Sequence, residues 1–173
     1  MPLIYYFHGL NGFLTAEKRK VLEPLGHVIA PVYDFQNQQT LATIKESFYD
    51  KALNDAVFIG TSFGGYVANY LSTVYDRPSL VFNPALVLRT IPIGLDAPLT
   101  SHLQSLSMFV LGEKDELLSA ADNISFIENH IKGPKEILME KDMAHHIPPE
   151  VFKKHVRSFF EKIHAGNNGL AGV

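Results

Sequence analysis

Cysteine is missing altogether from this 173-residue chain. Its absence excludes a disulfide scaffold, a thiol nucleophile and a metal site built on thiolates. Long hydrophobic runs are missing as well, since no apolar stretch approaches the ~18 residues that a membrane span needs. The chain enters an apolar segment at Leu3 with no basic region and no small-residue cleavage site, so we expect no signal peptide. We therefore predict a soluble, cytoplasmic protein.

An excess of positive charge is also missing. The chain has 15 Lys and Arg residues against 18 Asp and Glu residues, for a net charge of −3. Because a nucleic-acid-binding domain usually carries a basic surface, we expect no nucleic-acid partner. Hydrophobic residues make up 46% of the chain and charged residues 19%, which is typical of a globular protein. The length predicts a single domain.

Short apolar runs alternate with helical patterns along the chain. The runs predict buried strands at 3–7, 28–31, 56–60, 80–82, 108–111 and 136–139. Helices are predicted near 15–24, 40–53, 63–75, 119–131 and 149–164. The last helix has a clear apolar stripe, for which packing on a sheet is favoured over docking to a membrane or a partner. This alternation predicts a parallel sheet with helices on both faces.

Two segments fall outside this alternation. The connection 83–105 is long and rich in proline, but too apolar for a disordered loop. We interpret it either as one wall of a ligand pocket or as a crossover that merely packs. The segment 165–173 is rich in Gly and Asn and predicts a flexible tail after a single domain over 1–164.

The most informative motif is Gly60-Thr61-Ser62-Phe63-Gly64, which lies between a predicted strand and a predicted helix. This layout is typical of a nucleophile elbow, in which the serine sits on a strained turn and close packing requires glycine at both flanking positions. The turn would raise the Ser62 hydroxyl above the sheet and point the Phe63 N–H group at developing negative charge. The alternative is a glycine-rich turn with an incidental serine.

A nucleophilic serine needs a base and an orienting acid, expected in the order serine, acid, histidine after successive strands. The segment after the fifth predicted strand offers Asp115, with Glu113 and Glu116 as weaker rivals. The segment after the sixth offers two histidines, His145 and His146.

A second oxyanion donor is expected in the loop that follows the first strand. The segment 6–12 occupies that place, and the Leu10 N–H is the candidate donor. His8 lies in the same loop. Because His8 precedes Ser62 in the chain, whereas the base is expected after the acid, we interpret it as structural.

These motifs resemble the α/β-hydrolase superfamily, and in particular its small YqiA/YcfP-like esterases. The resemblance rests on Tyr6-Phe7-His8-Gly9, the elbow, Asn83-Pro84-Ala85, the Gly-x-x-Asp at 112–115 and the terminal histidine loop. Small serine hydrolases similar to retinoblastoma-binding protein 9 share the length and the residue order. The histidine loop here reads Asp142-Met143-Ala144-His145-His146, where the family often has Gly-Gly-Asn-His.

The resemblance implies Ser62 as nucleophile, Asp115 as acid and His145, favoured over His146, as base. It also implies Phe63 and Leu10 as oxyanion donors. The implied fold is a shortened α/β hydrolase, with about six mainly parallel strands in the order 2-1-3-4-5-6 and a minimal cap. Asp96, in the long apolar segment, is a poor candidate for the acid.

We therefore predict a serine hydrolase that cleaves carboxylic esters or thioesters of small to medium acyl groups, with no cofactor and no metal. The alternatives are a non-catalytic binding scaffold with the same fold, or an amidase or peptidase with the same triad. The sequence leaves the oligomeric state, the leaving group and the physiological substrate open.

Overall fold

A computed structural model describes residues 1–37, 39–48, 53–87 and 103–170, with side chains in the last helix described through residue 165. The strands are β1 (Leu3–Phe7), β2 (His27–Ile29), β3 (Ala56–Thr61), β4 (Ser79–Phe82), β5 (Ser107–Gly112) and β6 (Lys135–Glu140). The helices are α1 (Ala16–Leu22), α2 (Gln39–Phe48), α3 (Phe63–Tyr75), α4 (Ala120–His130) and α5 (Pro149–Leu170).

The six strands form one sheet in the order β2-β1-β3-β4-β5-β6, and every neighbouring pair is parallel. The predicted strand order is therefore confirmed. Because all strands run in one direction, their carboxyl ends meet at one edge of the sheet. Phe7 at the end of β1 is in register with Gly60, and Thr61 at the end of β3 is in register with Phe82. The loops after β1, β3 and β4 consequently begin side by side.

Side chains alternate along each strand and build a separate core on each face of the sheet. In β1, Tyr5 and Phe7 enter one core, whereas Ile4 and Tyr6 enter the other. Helices α2, α3 and α4 cover the first core, with buried residues that include Phe48, Val67 and Ile127. Helices α1 and α5 cover the second. The prediction of helices on both faces is confirmed.

The apolar stripe of α5 packs against the sheet, as the sequence favoured. Phe152, Val156, Phe159 and Phe160 are all buried in the second core. The helix ends at Leu170 rather than near 164, so the helical segment is longer than the pattern predicted. None of the described helices is both long and apolar enough to cross a membrane.

Four sequence predictions fall partly or wholly outside the described residues. The predicted tail 165–173 is one of them, since residues 171–173 are not described. The long connection 83–105 is described only at its two ends, so its predicted role as a pocket wall is untested, and Asp96 lies in the same gap. The end of the helix predicted over 40–53 falls in another gap.

Candidate active site

Ser62 sits at a strained turn between β3 and α3. Its backbone has φ 53° and ψ −121°, a region that non-glycine residues rarely adopt. The Ser62 N–H donates to the Phe82 carbonyl at 2.9 Å, and the Ser62 carbonyl accepts from the N–H groups of Gly65 and Ala85, both at 3.0 Å. These hydrogen bonds to neighbouring elements hold the serine in its unusual conformation.

The glycines on either side of Ser62 are sterically required. A Cβ atom on Gly60 would overlap the carbonyl of Gly64. A Cβ atom on Gly64 would overlap the carbonyls of Phe7 and His8 at the end of β1. The spacing of the Gly-x-Ser-x-Gly motif is therefore explained by the close approach of α3 to the neighbouring strands.

Asp115 follows β5, and its side chain is fully buried. Its Oδ1 atom accepts two backbone hydrogen bonds, from Leu117 at 2.9 Å and from Leu118 at 3.0 Å. Its Oδ2 atom lies 2.8 Å from Nδ1 of His145. The two backbone donors fix the carboxylate plane, so Oδ2 is directed at the histidine.

His145 follows β6 and is the histidine that pairs with Asp115. A carboxylate can only accept a hydrogen bond, so Nδ1 of His145 must carry the proton. When the ring is neutral, Nε2 is the nitrogen without a proton and can accept one from another group. The His145 side chain is 30% exposed and lines the same pocket as Ser62. His146 lines that pocket too but is more exposed, as are the rival carboxylates Glu113 and Glu116.

The two predicted oxyanion donors belong to segments that adjoin Ser62. Phe63 is the first residue of α3, where a backbone N–H has no partner within the helix. Leu10 lines the pocket from the loop after β1. That loop lies directly against Ser62, since a Cβ atom on Gly9 would stand 3.1 Å from Cβ of Ser62.

His8 uses both ring nitrogens to hold the loop after β1. Its Nε2 accepts the N–H of Tyr33 at 2.8 Å, so the ring proton is on Nδ1 when the ring is neutral. Nδ1 donates to the carbonyl of Gly9 at 2.6 Å. His8 is also buried, with 2% of its surface exposed. This arrangement supports a structural role beside Leu10 rather than a role as base.

Asn83 links the loops that carry Asp115 and His145. Its Oδ1 accepts the Gly112 N–H at 2.8 Å, while its Nδ2 donates to the carbonyls of Ala144 at 2.8 Å and His145 at 3.2 Å. It is 2% exposed and has a φ of 41°. No role for Asn83 was predicted from the sequence. Its only signal was an asparagine directly after a buried strand, in a motif that supported the family resemblance.

The pocket that contains Ser62 and His145 has a volume of about 610 Å³. Its described walls come mainly from the loops after β1, β5 and β6, with a contribution from α1, and the apolar side chains of the loops are Leu10, Phe13, Leu117, Leu118 and Ile147. Phe13 and Leu117 are 64% and 71% exposed, so apolar surface extends to the mouth of the pocket. Such a lining fits an apolar ligand group beside a reactive serine.

The fold is shared with structurally characterised α/β hydrolases. A protein of the α/β superfamily from Xanthomonas campestris pv. campestris superposes with a TM-score of 0.69 at 22% identity, covering 95% of this chain and 99% of that one. Est1E from Butyrivibrio proteoclasticus, with ferulic acid bound, gives 0.69 at 15% identity, with 95% and 90% covered. A Bacillus cereus carboxylesterase gives 0.62 at 14% identity, with 93% and 88% covered. The chain therefore has the α/β-hydrolase fold.

More than half of the chain also matches the model of one protein family. The family model described as "Uncharacterised protein family (UPF0227)" matches residues 4–96. The chain belongs to this family, the YqiA/YcfP-like group that its motifs resemble. The matched region includes Leu10 and Ser62 but ends before Asp115 and His145. A comparison with curated proteins found no match.

Proposed function

We propose that this protein is a serine hydrolase that cleaves carboxylic esters or thioesters of small to medium acyl groups. The observation that carries the proposal is the buried Asp115 carboxylate, 2.8 Å from Nδ1 of His145, whose ring lines one pocket with Ser62. This is the acid–base half of a triad, found beside a serine on a nucleophile elbow.

In the first half of the reaction, Nε2 of His145 takes the proton of the Ser62 hydroxyl as its oxygen attacks the substrate's carbonyl carbon. The N–H groups of Phe63 and Leu10 stabilise the negative charge that develops on the carbonyl oxygen. Each such donor contributes on the order of 3 kcal/mol to the transition state. Asp115 stabilises the imidazolium that forms.

The tetrahedral intermediate then collapses. Its bond to the leaving alcohol or thiol breaks, and the leaving group takes the proton from His145, which leaves an acyl group on Ser62. In the second half, His145 takes a proton from water, and the resulting hydroxide attacks the acyl carbon. Breakdown of the second intermediate releases the carboxylic acid and returns the proton to Ser62.

Two features favour this function over a non-catalytic scaffold. A binding protein has no need for a strained serine turn or for a buried carboxylate directed at a histidine beside that serine. The apolar pocket of about 610 Å³ fits a small acyl substrate, which also supports a small-molecule partner. A cytoplasmic location, expected from the sequence, is part of the same proposal.

The test compares wild-type protein with Ser62→Ala on p-nitrophenyl butyrate, on a butyryl thioester and on a butyryl anilide. We expect the wild type to hydrolyse the ester or the thioester, and Ser62→Ala to lose at least about 10³-fold in kcat. Ser125→Ala, which changes an exposed serine on α4, is the matched control and should retain full activity. Faster cleavage of the anilide than of the ester would instead support an amidase. Undiminished turnover by folded Ser62→Ala would refute the proposal.

A further inference from the structure

Lys18 is the one lysine among the described residues that line the pocket with Ser62 and His145. It belongs to α1, and its side chain is half-buried. Its Nζ atom lies 5.4 Å from the centre of the Phe152 ring. A lysine usually leaves its ammonium group in water or pairs it with a carboxylate, so a lysine in an apolar pocket requires an explanation.

No carboxylate compensates this charge within the described part of the chain. The ion pairs formed by the described residues do not include Lys18. The described lining of the pocket contains no Asp or Glu, although the chain as a whole has more acidic than basic residues. Burial lowers the pKa of Lys18, which is the direction expected of a desolvated ammonium group without a nearby anion.

The other ionisable groups of the described lining are Tyr6, whose pKa burial raises above its usual value, and three histidines. His8 is held by its two hydrogen bonds, and His145 is paired with Asp115. His146 is exposed at the rim. Lys18 is therefore the side chain best suited to bind a charged group of a ligand that enters an otherwise apolar pocket.

We propose that Lys18 forms an anion-binding subsite, and that the substrate is an ester or thioester that carries a carboxylate or another anionic group in addition to its reacting carbonyl. This inference rests on the proposed function, because it concerns the same pocket. The ammonium group would find in the ligand the anionic partner that the described part of the chain does not supply, and the apolar side chains around it would strengthen the pair.

The test uses two pairs of substrates that differ only in one charge. In the first pair the charge is on the acyl side: mono-p-nitrophenyl adipate is compared with its neutral methyl ester. In the second pair it is on the alcohol side: 4-butyryloxybenzoate is compared with its methyl ester. Each rate is corrected for the spontaneous reaction.

The variants are Lys18→Met, Lys18→Arg and the control Lys20→Met. Methionine keeps an unbranched apolar stem over Phe152 but removes the charge, whereas arginine keeps the charge. Lys20 is an exposed lysine on the same helix. Circular dichroism and thermal unfolding verify that each variant folds.

We expect wild-type protein to favour the charged member of at least one pair in kcat/KM by about tenfold or more, the size of one charge-assisted hydrogen bond. The pair that shows this preference identifies the side of the substrate that carries the anion. Lys18→Met should slow the charged member of that pair more than the neutral member by about the same factor, and so remove the preference. Lys18→Arg should retain most of it, and Lys20→Met all of it. Added salt should weaken the preference.

The inference is wrong if neither pair shows a preference that depends on Lys18. It is equally wrong if Lys18→Met slows charged and neutral substrates by the same factor, because that result identifies a packing role over Phe152. In both cases, turnover of the neutral esters that Ser62→Ala abolishes leaves the proposed function standing. If folded wild-type protein hydrolyses no member of either pair, both proposals are refuted.

Discussion

Nδ1 of His145 lies 2.8 Å from Oδ2 of Asp115, although the two residues are 30 positions apart in the chain. They meet because β5 and β6 are neighbouring parallel strands whose carboxyl ends open into adjacent loops. The carboxylate is fully buried and receives two backbone hydrogen bonds. The fold therefore positions the acid, and the acid in turn sets the tautomer of the histidine.

Asp115→Asn should reduce kcat by about 10³- to 10⁴-fold while the protein remains folded. The new amide oxygen would accept the Leu117 and Leu118 N–H groups, so the amide nitrogen would face His145. Nδ1 would then have to accept a hydrogen bond, and the ring proton would move to Nε2, where it blocks proton transfer from Ser62. Steady-state kinetics with circular dichroism tests this. Glu116→Gln, on an exposed neighbour, is the control, and equal activity of the two variants would contradict the assignment.

The two adjacent histidines should respond very differently to substitution. His145→Gln should lose at least about 10³-fold in kcat, because it removes the base that Asp115 orients. His146→Gln should retain activity within about threefold, since its side chain is exposed at the rim of the pocket. Kinetic comparison of the two variants on one ester decides which histidine is the base. A larger loss in His146→Gln would reverse the proposed roles.

Asn83→Ala should reduce kcat by about 10- to 100-fold with little change in KM. The substitution leaves the Gly112 N–H and the carbonyls of Ala144 and His145 without their side-chain partner. The loop after β6, which carries His145, is then held less firmly. The substitution should also lower the free energy of unfolding by about 2 kcal/mol, because buried polar groups lose hydrogen bonds. Urea unfolding and steady-state kinetics measure both effects, with the exposed Asn129→Ala as control. A folded Asn83→Ala variant with normal kcat would show that Asn83 does not position His145.

The hydrogen bonds between Glu140 on β6 and two residues of α5 should make the free energy of unfolding depend on pH in the acid range. Glu140 accepts hydrogen bonds from Lys154 at 2.6 Å and from His155 at 2.5 Å, and these hydrogen bonds, that from Lys154 first, lower the pKa of its carboxyl. A depressed folded pKa stabilises the fold above the unfolded value of about 4.3, and this stabilisation is lost as pH falls through the folded pKa.

We therefore expect Glu140→Gln to be about 1 kcal/mol less stable than wild type at pH 7, with the difference shrinking as the pH falls below about 4. Urea unfolding at pH 7, 5 and 3 measures this. Glu136→Gln, which removes a more exposed ion pair with Lys162, should cost less at pH 7. A difference for Glu140→Gln that stays constant from pH 7 to pH 3 would contradict the account.

Local patterns predicted most of the fold. Buried strands such as 3–7 are continuous apolar runs bounded by turn residues, and this signal requires no knowledge of distant contacts. The strand order followed from the resemblance, and the Gly-x-Ser-x-Gly motif marked the turn because its glycines are fixed by steric overlap. The length of α5 was underestimated because Gly and Asn after residue 164 weaken the helical pattern without ending the helix.

Local sequence patterns do not predict contacts between distant loops. A local pattern alone does not distinguish the two adjacent histidines; the family resemblance favours His145, and the direction of the loop brings its ring to Asp115. The three hydrogen bonds of Asn83 depend on where two other loops end. The position of Lys18 in the pocket likewise depends on how α1 packs beside Phe152.

Labelling with a fluorophosphonate probe tests the central claim most directly, because the probe reacts with activated serines and requires no knowledge of the substrate. Purified wild-type protein should form an adduct that peptide mass spectrometry locates at Ser62. Ser62→Ala should form none, and Ser125→Ala should be labelled like the wild type. An adduct at another serine, or no adduct on wild-type protein that circular dichroism shows to be folded, would contradict an activated nucleophile at Ser62.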